Sequence, residues 1–319
     1  MKKVFNSILF WVMWCVWYTL SLLPMWFHYA MSDVLYVLVV YVLRYRRKVI
    51  RKNLSNAYPD KSPKELLRLE RKFYRFFCDY VAETVKFATM SREEIARRME
   101  FIDAEPANEL VKQGRSVALM LGHYGNWEWV TSIRRCFTPP NVGYGHIYHP
   151  LENEAMDRLF LTFRDRLGSK SIAMTETLRW LIHYERQGLP TVLGYISDQV
   201  PTWFNIHHWL TFLNQETPVF TGVERIARKM HQAVFYVDVE CVKRGYYRAR
   251  LVPITLDAAT LPEHAVVNRY FELLEQTINH APQYWLWSHN RWKRTREEFD
   301  RNFEVVGGRV VAKKTATQD

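Results

Sequence analysis

The apolar positions of this chain follow three successive patterns. Residues 4–23 carry no charge at all, residues 62–87 repeat apolar side chains at helical spacing, and beyond residue 116 short apolar runs alternate with amphipathic segments. In the middle pattern, Ser62-Pro63-Lys64-Glu65 reads as a capping box with proline at the first helical position. Behind it Leu66, Leu69, Phe73, Phe76, Tyr80, Thr84 and Phe87 recur every three or four residues and mark one face of a long helix. In the third pattern, residues 116–121, 191–196, 233–239 and 246–252 read as strands, and residues 141–148 as extended or irregular chain. Helices are predicted over 126–135, 152–167 and 175–187, then from Thr217-Pro218 to Met230, and last from Pro262 to near Pro282. This alternation predicts an α/β fold, a sheet core flanked by helices with active groups at the strand ends. The expected division is an anchor over 1–45, one catalytic domain over 46–305, and a frayed tail over 306–319.

The charge-free run is long enough for more than a core helix. At about 1.5 Å per residue, residues 4–23 cross a hydrocarbon layer of roughly 30 Å. Trp11, Trp14, Trp17, Tyr18 and Trp26 suit membrane interfaces. Lys2 and Lys3 would also open a signal peptide, but the run is long for one and no small-x-small cleavage site follows Leu23, so an anchor is expected. Residues 34–43 are too few to span and read as an interfacial helix. They lead into Arg44, Arg46, Arg47, Lys48, Arg51 and Lys52, a cluster that favours anionic headgroups and places this side in the cytoplasm.

Lys and Arg outnumber Asp and Glu by 44 to 33, a net charge of +11 that calls for an anionic partner. Because the basic cluster adjoins an apolar segment, the partner expected is a membrane and not a nucleic acid. The four cysteines (Cys15, Cys78, Cys136, Cys241) show neither disulfide nor metal-knuckle spacing. His146, His149, His207 and His208 lack carboxylates at ligand spacing, so no metal is expected.

Candidate chemistry concentrates where the run 117–121 gives way to Gly122-His123-Tyr124-Gly125-Asn126-Trp127-Glu128. A histidine at a strand end can act as general base, and a carboxylate on its other ring nitrogen fixes the tautomer. Glu128 is the carboxylate expected in that role. No serine or cysteine stands in a nucleophile-elbow pattern nearby, so the hydroxyl to be activated belongs to the substrate.

Several blocks agree in order with one family. They are the anchor, Arg51-Lys52-Asn53-Leu54 with Tyr58-Pro59, the Gly122–Glu128 block, Phe163-Arg164-Asp165-Arg166-Leu167-Gly168, Ser197-Asp198-Gln199, and Trp285-Leu286-Trp287-Ser288-His289-Asn290-Arg291-Trp292-Lys293. Through them the chain resembles the lysophospholipid/lipid A biosynthesis (late) acyltransferases. It departs from their pattern at Phe212-Leu213-Asn214, where Phe-Phe-Gly is frequent, and over residues 145–150, where an arginine-containing segment is frequent. The resemblance implies a glycerolipid-acyltransferase-like sheet core and transfer of an acyl chain from a thioester, on acyl carrier protein or coenzyme A, to a hydroxyl of a lipid A precursor. It implies no resident cofactor and a place in the inner membrane facing the cytoplasm. His123 would deprotonate the acceptor, and Glu128 would orient and stabilise His123. Arg164 or Arg166 would hold phosphate or oxyanion, Asp198 would hold one of those arginines, and Asn126 and Arg291 join the substrate-binding set, Arg291 on a headgroup-facing ledge. A lysophospholipid, aminolipid or other glycolipid acceptor, or a non-catalytic membrane-docking protein, are the alternative readings.

Overall fold

The computed structural model describes residues 2–313. Its N-terminal third is mostly helical: α1 (Lys2–Leu22), α2 (Met25–Val37), α3 (Arg47–Ala57), α4 (Pro63–Phe87), α5 (Arg92–Arg98) and α6 (Glu105–Lys112), with β1 (Met99–Ile102) between the last two. The rest alternates: β2 (Val117–Leu121), β3 (Gly143–Tyr148), α7 (Glu154–Arg164), β4 (Lys170–Ala173), α8 (Thr177–Arg186), β5 (Thr191–Ile196), β6 (His208–Phe212), β7 (Gln215–Val219), α9 (Gly222–Lys229), β8 (Ala233–Lys243), β9 (Tyr246–Thr255), α10 (Ala265–His280), α11 (Arg296–Asn302), β10 (Phe303–Val306) and β11 (Arg309–Ala312).

A seven-stranded sheet in the order β1-β9-β8-β2-β5-β3-β4 forms the core. Only the β8–β9 pair is antiparallel. All five residues of β2 are buried, as a central strand covered on both faces requires. The register of β2 on β5 sets Leu121 opposite Ile196, so the residues just past both strands emerge side by side.

The capping box forms as expected: the Ser62 side chain accepts from the Glu65 N–H while the Glu65 carboxylate accepts from the Ser62 N–H. The long helix behind it buries Leu69, Phe73, Phe76 and Phe87, but it also buries Glu70, Asp79 and Glu83. Glu83 accepts from Tyr29 Oη at 3.0 Å, Asn126 Nδ2 at 2.8 Å and Tyr247 Oη at 2.9 Å. Burial, resisted by these donors and reinforced by Asp79, pushes the Glu83 carboxyl up to about 7. Folded protein therefore holds this proton more tightly than unfolded chain, and the associated stability is present at pH 4.5 and lost as pH rises through 7. Wild-type stability should decline by up to about 3 kcal/mol across that window, at 1.36 kcal/mol per pKa unit. The decline should be flattened in Glu83→Gln, and denaturant titrations of both proteins at pH 5 and pH 8 measure it. Equal slopes for the two proteins would contradict it.

Four expectations change in detail. Residues 34–43 do not form a separate short helix. They end a longer one, because α2 continues through a wide turn at Leu38–Val42, and Met25–Val42 is as apolar as Phe5–Leu22, each with a mean hydropathy of 1.4. The segment predicted as helix over 126–135 is a tighter 3-10 helix at Trp129–Cys136. Thr217-Pro218 does not cap a helix: it lies in β7, paired with β6 as a hairpin. Residues 307–312, part of the segment expected to fray, are ordered by a hairpin: β10 and β11 pair around Gly307-Gly308 and Val310 packs with Ile206 and Phe299; residues 314–319 lie outside the described residues.

Candidate active site

Gly122 and Gly125 shape the turn that follows β2. A Cβ on Gly122 would stand 2.7 Å from Leu274 Cδ1. Gly125 has φ +58°, and a Cβ there would meet Val239 at 2.8 Å. Between them His123 is held on both its backbone and its ring. Its own N–H donates to Asp198 Oδ2 at 2.8 Å, its Nδ1 lies 2.6 Å from Asp198 Oδ1, Trp127 packs edge-on at 5.2 Å, and its carbonyl accepts from Leu286 N–H at 3.1 Å. Trp285 Nε1 donates to Asp198 Oδ2 at 2.8 Å.

The carboxylate on the His123 ring is thus Asp198 and not Glu128. Burial alone would raise Asp198, but the His123 ring, the His123 N–H and the Trp285 indole outweigh it and hold the carboxyl down to about 2. An ionised Asp198 can only accept, so Nδ1 carries the proton and Nε2 presents a lone pair. That is the tautomer a general base needs. Gln199 Nε2 lies 3.1 Å from this nitrogen.

Glu128 takes the role expected of Asp198. Arg164 grips it with both prongs, Nε to Oε2 at 2.7 Å and Nη2 to Oε1 at 2.5 Å, and Tyr80 Oη donates at 3.4 Å. Burial would raise Glu128, but Arg164 outweighs it and holds the carboxyl below the usual range. The two carboxylates have exchanged the partners the sequence reading assigned them. The reason is register: two residues past β2 stands His123, two residues past β5 stands Asp198, and parallel neighbours set them together. Glu128 lies beyond the glycine turn, at the start of the 3-10 helix, where α7 brings Arg164.

The remaining expected site residues divide sharply. Asn126 is fully buried and spends both ends of its amide inside the protein, on Glu83 Oε2 and on the Trp129 N–H at 3.1 Å, so it shapes the turn without facing a substrate. Arg166 donates to the Met90 carbonyl at 2.6 Å and lies over the Phe87 ring. Arg291 does not sit on an exposed ledge. It is fully buried, donates to the Pro218 carbonyl at 2.7 Å, and burial lowers its guanidinium to about 10. Trp285 and Gln199 belonged to matched blocks but carried no assigned role.

His123, Gln199, Glu128 and Arg164 line one chamber of about 580 Å³. Leu119, Leu121, Val130, Ile133, Val192 and Val237 supply apolar wall, while Lys293 and Arg294 add positive charge. The size is that of a small-molecule pocket, and its wall mixes this apolar surface with polar groups, among them His146, His289, Arg134 and Gln199. His146 also reaches it, and burial lowers this ring to about 4, leaving it neutral.

Breaking the Glu128–Arg164 fork should cost both stability and rate. Lysine keeps the charge without the planar pair of donors. Arg164→Lys is therefore expected to be impaired and Arg164→Ala more so, by about 3–5 kcal/mol of stability when a buried carboxylate loses its partner. Arg166→Ala should stay within about threefold of wild-type turnover, since the charge-assisted contacts it removes are remote from the chamber. Melting curves and acyl-transfer rates for the three variants check the ranking; a wild-type melting point for Arg164→Ala would contradict it.

A histidine held by a buried carboxylate, at the carboxyl ends of a mainly parallel sheet and opening on a chamber of mixed apolar and basic lining, defines the class: an α/β fold with its candidate site in the crevice at the strand ends. The chain matches the bacterial lipid A biosynthesis acyltransferase family over residues 3–294, and it belongs to that family. A search among curated proteins finds no match to it.

Proposed function

We propose that this protein transfers a fatty acyl chain from a thioester, carried by acyl carrier protein or coenzyme A, to a hydroxyl of a lipid A precursor at the cytoplasmic face of the inner membrane. The observation that carries the reading is His123, with Nδ1 on Asp198 and Nε2 beside Gln199, on the wall of the chamber that both residues line. In the reaction, Nε2 takes the hydroxyl proton as the acceptor oxygen attacks the thioester carbonyl. The tetrahedral intermediate collapses with loss of the C–S bond, and the imidazolium returns its proton to the departing sulfur. Ester and thiol result, and the base is regenerated. Asp198 stabilises the imidazolium, and the chamber wall shelters the acyl chain.

Membrane attachment is supported by the exposed apolar face of the N-terminal helices. Phe5, Ile8, Trp11, Val12 and Val16 on α1, and Met31, Val34 and Val37 on α2, are all more than half exposed. The opposite face of α1 packs Phe10 against Leu159 and Phe163 of α7, so the anchor stands beside the helix that delivers Arg164.

Lipid mass spectrometry of a strain lacking this protein tests the reading. A lipid A precursor one acyl chain short should accumulate, and be restored by wild-type protein but not by His123→Ala. An unchanged lipid A with an altered phospholipid, aminolipid or other glycolipid would assign a different acceptor.

A further inference from the structure

A second cavity, of about 820 Å³, shares no lining residue with the His123 chamber. It is bounded by α4, by Tyr36 of α2 and by the turn joining β8 to β9. Its wall holds six cations: Lys64, Arg68, Arg71, Lys72, Arg75 and Arg244. Lys64, Arg68, Arg71 and Arg75 follow one another at spacings of three and four, so they share one helix face. Like charges at this spacing disfavour a helix.

The nearby carboxylates do not offset them. Asp79 is taken by Arg244, Nε to Oδ2 at 2.8 Å, and by Ser32 Oγ at 2.6 Å. Asp33 is shared by Arg75 at 2.5 Å and Arg244 at 2.9 Å. Glu83 is enclosed by its three neutral donors. Among the described residues, no carboxylate pairs with Lys64, Arg68, Arg71 or Lys72. Four of the six cations thus have no carboxylate partner among the described residues and stand open to an anion.

The surroundings say which ligand. Leu67, on the exposed side of α4, lines the cavity itself, and Tyr36 packs edge-on at 6.2 Å against exposed Tyr41 in the wide turn that continues α2. A molecule seated here meets cations at one end and an apolar helix face at the other. We propose that this cavity binds the phosphate headgroup of an anionic membrane phospholipid, with its acyl chains along α2. The site is separate from the acceptor site. The proposal rests on the reading of α2 as a membrane-contacting helix, and the test below needs no bilayer.

Full-length protein purified in a nonionic detergent is titrated with dihexanoyl phosphatidylglycerol and dihexanoyl phosphatidylcholine, and bound lipid is counted by native mass spectrometry. Wild type should prefer the anionic lipid by about tenfold or more, given the attraction each basic residue exerts on anionic headgroups. Arg68→Gln/Arg71→Gln should lose the preference, while Lys48→Gln/Lys52→Gln on α3 should keep it. Should the first variant melt abnormally without lipid, Lys64→Gln/Lys72→Gln replaces it. A wild type without preference, or a cavity variant that retains it, would overturn the proposal. Glycerol 3-phosphate binding as well as the lipid would assign a soluble phosphate instead. Loss of binding to purified acyl carrier protein, with lipid preference intact, would make this face a protein dock. Membrane attachment, read separately by fractionation, stands or falls independently of every arm.

Discussion

His123→Ala is expected to reduce acyl transfer by about 10²–10⁴-fold, the usual contribution of a general base, while the protein remains folded and membrane-bound. His123 packs by its backbone and one ring edge, not as a core filler. Its N–H to Asp198 and its carbonyl to Leu286 survive the substitution. Turnover within threefold of wild type, in a variant with an unchanged melting curve, would remove His123 from the chemistry.

The second large effect is expected at Asp198. Three N–H donors converge on its carboxylate: the His123 backbone, His123 Nδ1 and the Trp285 indole. In Asp198→Asn the amide oxygen can satisfy the two donors at Oδ2, which leaves the new NH₂ facing Nδ1. The ring must then accept at Nδ1 and carry its proton on Nε2, the tautomer that cannot deprotonate a hydroxyl. A loss of about 10²–10⁴-fold follows from the same tautomer argument that governs catalytic triads. Combined with His123→Ala it should add little, because the pair acts as a unit. Glu128→Gln touches Arg164 and not the ring, so it should lower the melting point more than the rate and leave the pH–rate profile unshifted. Were Glu128→Gln the more damaging to rate and Asp198→Asn nearly silent, the assignment of partners would be reversed.

The sequence showed some of this plainly. The run over 191–196 coincides with β5, and Ser62-Pro63-Lys64-Glu65 forms the cap it spells, because both depend on neighbours in the chain. His123 was legible as a site residue because glycines and a buried run frame it locally. Its partner was not. Which strands lie side by side is a tertiary fact, and only the β2–β5 register turns two equal offsets, His after one run and Asp after the other, into a contact. The nearer carboxylate, Glu128, was favoured by spacing alone. Asn126 and Arg291 read as substrate groups since polar residues in a motif look functional, yet both are fully buried, Asn126 bracing the turn and Arg291 the β7 strand.

The β6–β7 hairpin escaped notice for a different reason. Its two turn residues, Leu213 at φ +51° and Asn214 at φ +60°, both adopt the left-handed conformation of a type I′ turn. Leucine in the first position hides a signal that Asn-Gly would have made obvious, and Phe212-Leu213-Asn214 therefore looked like a mere departure from the family pattern. The length of α2 was hidden by Asp33, which interrupts the apolar run but is neutralised by Arg75 and Arg244 from α4 and the β8–β9 turn.

The proposed reaction moves an acyl group from a thioester to a lipid hydroxyl, with His123 as the base. Single-turnover mixing of detergent-purified protein, a labelled acyl thioester and a phosphorylated acyl-disaccharide lipid, with products read by mass spectrometry, tests it most directly. The account predicts one new ester per thiol released with wild type, and neither product above background with His123→Ala. Ester formation at the wild-type rate in His123→Ala, or thioester left intact by wild type in the presence of that acceptor, would contradict it.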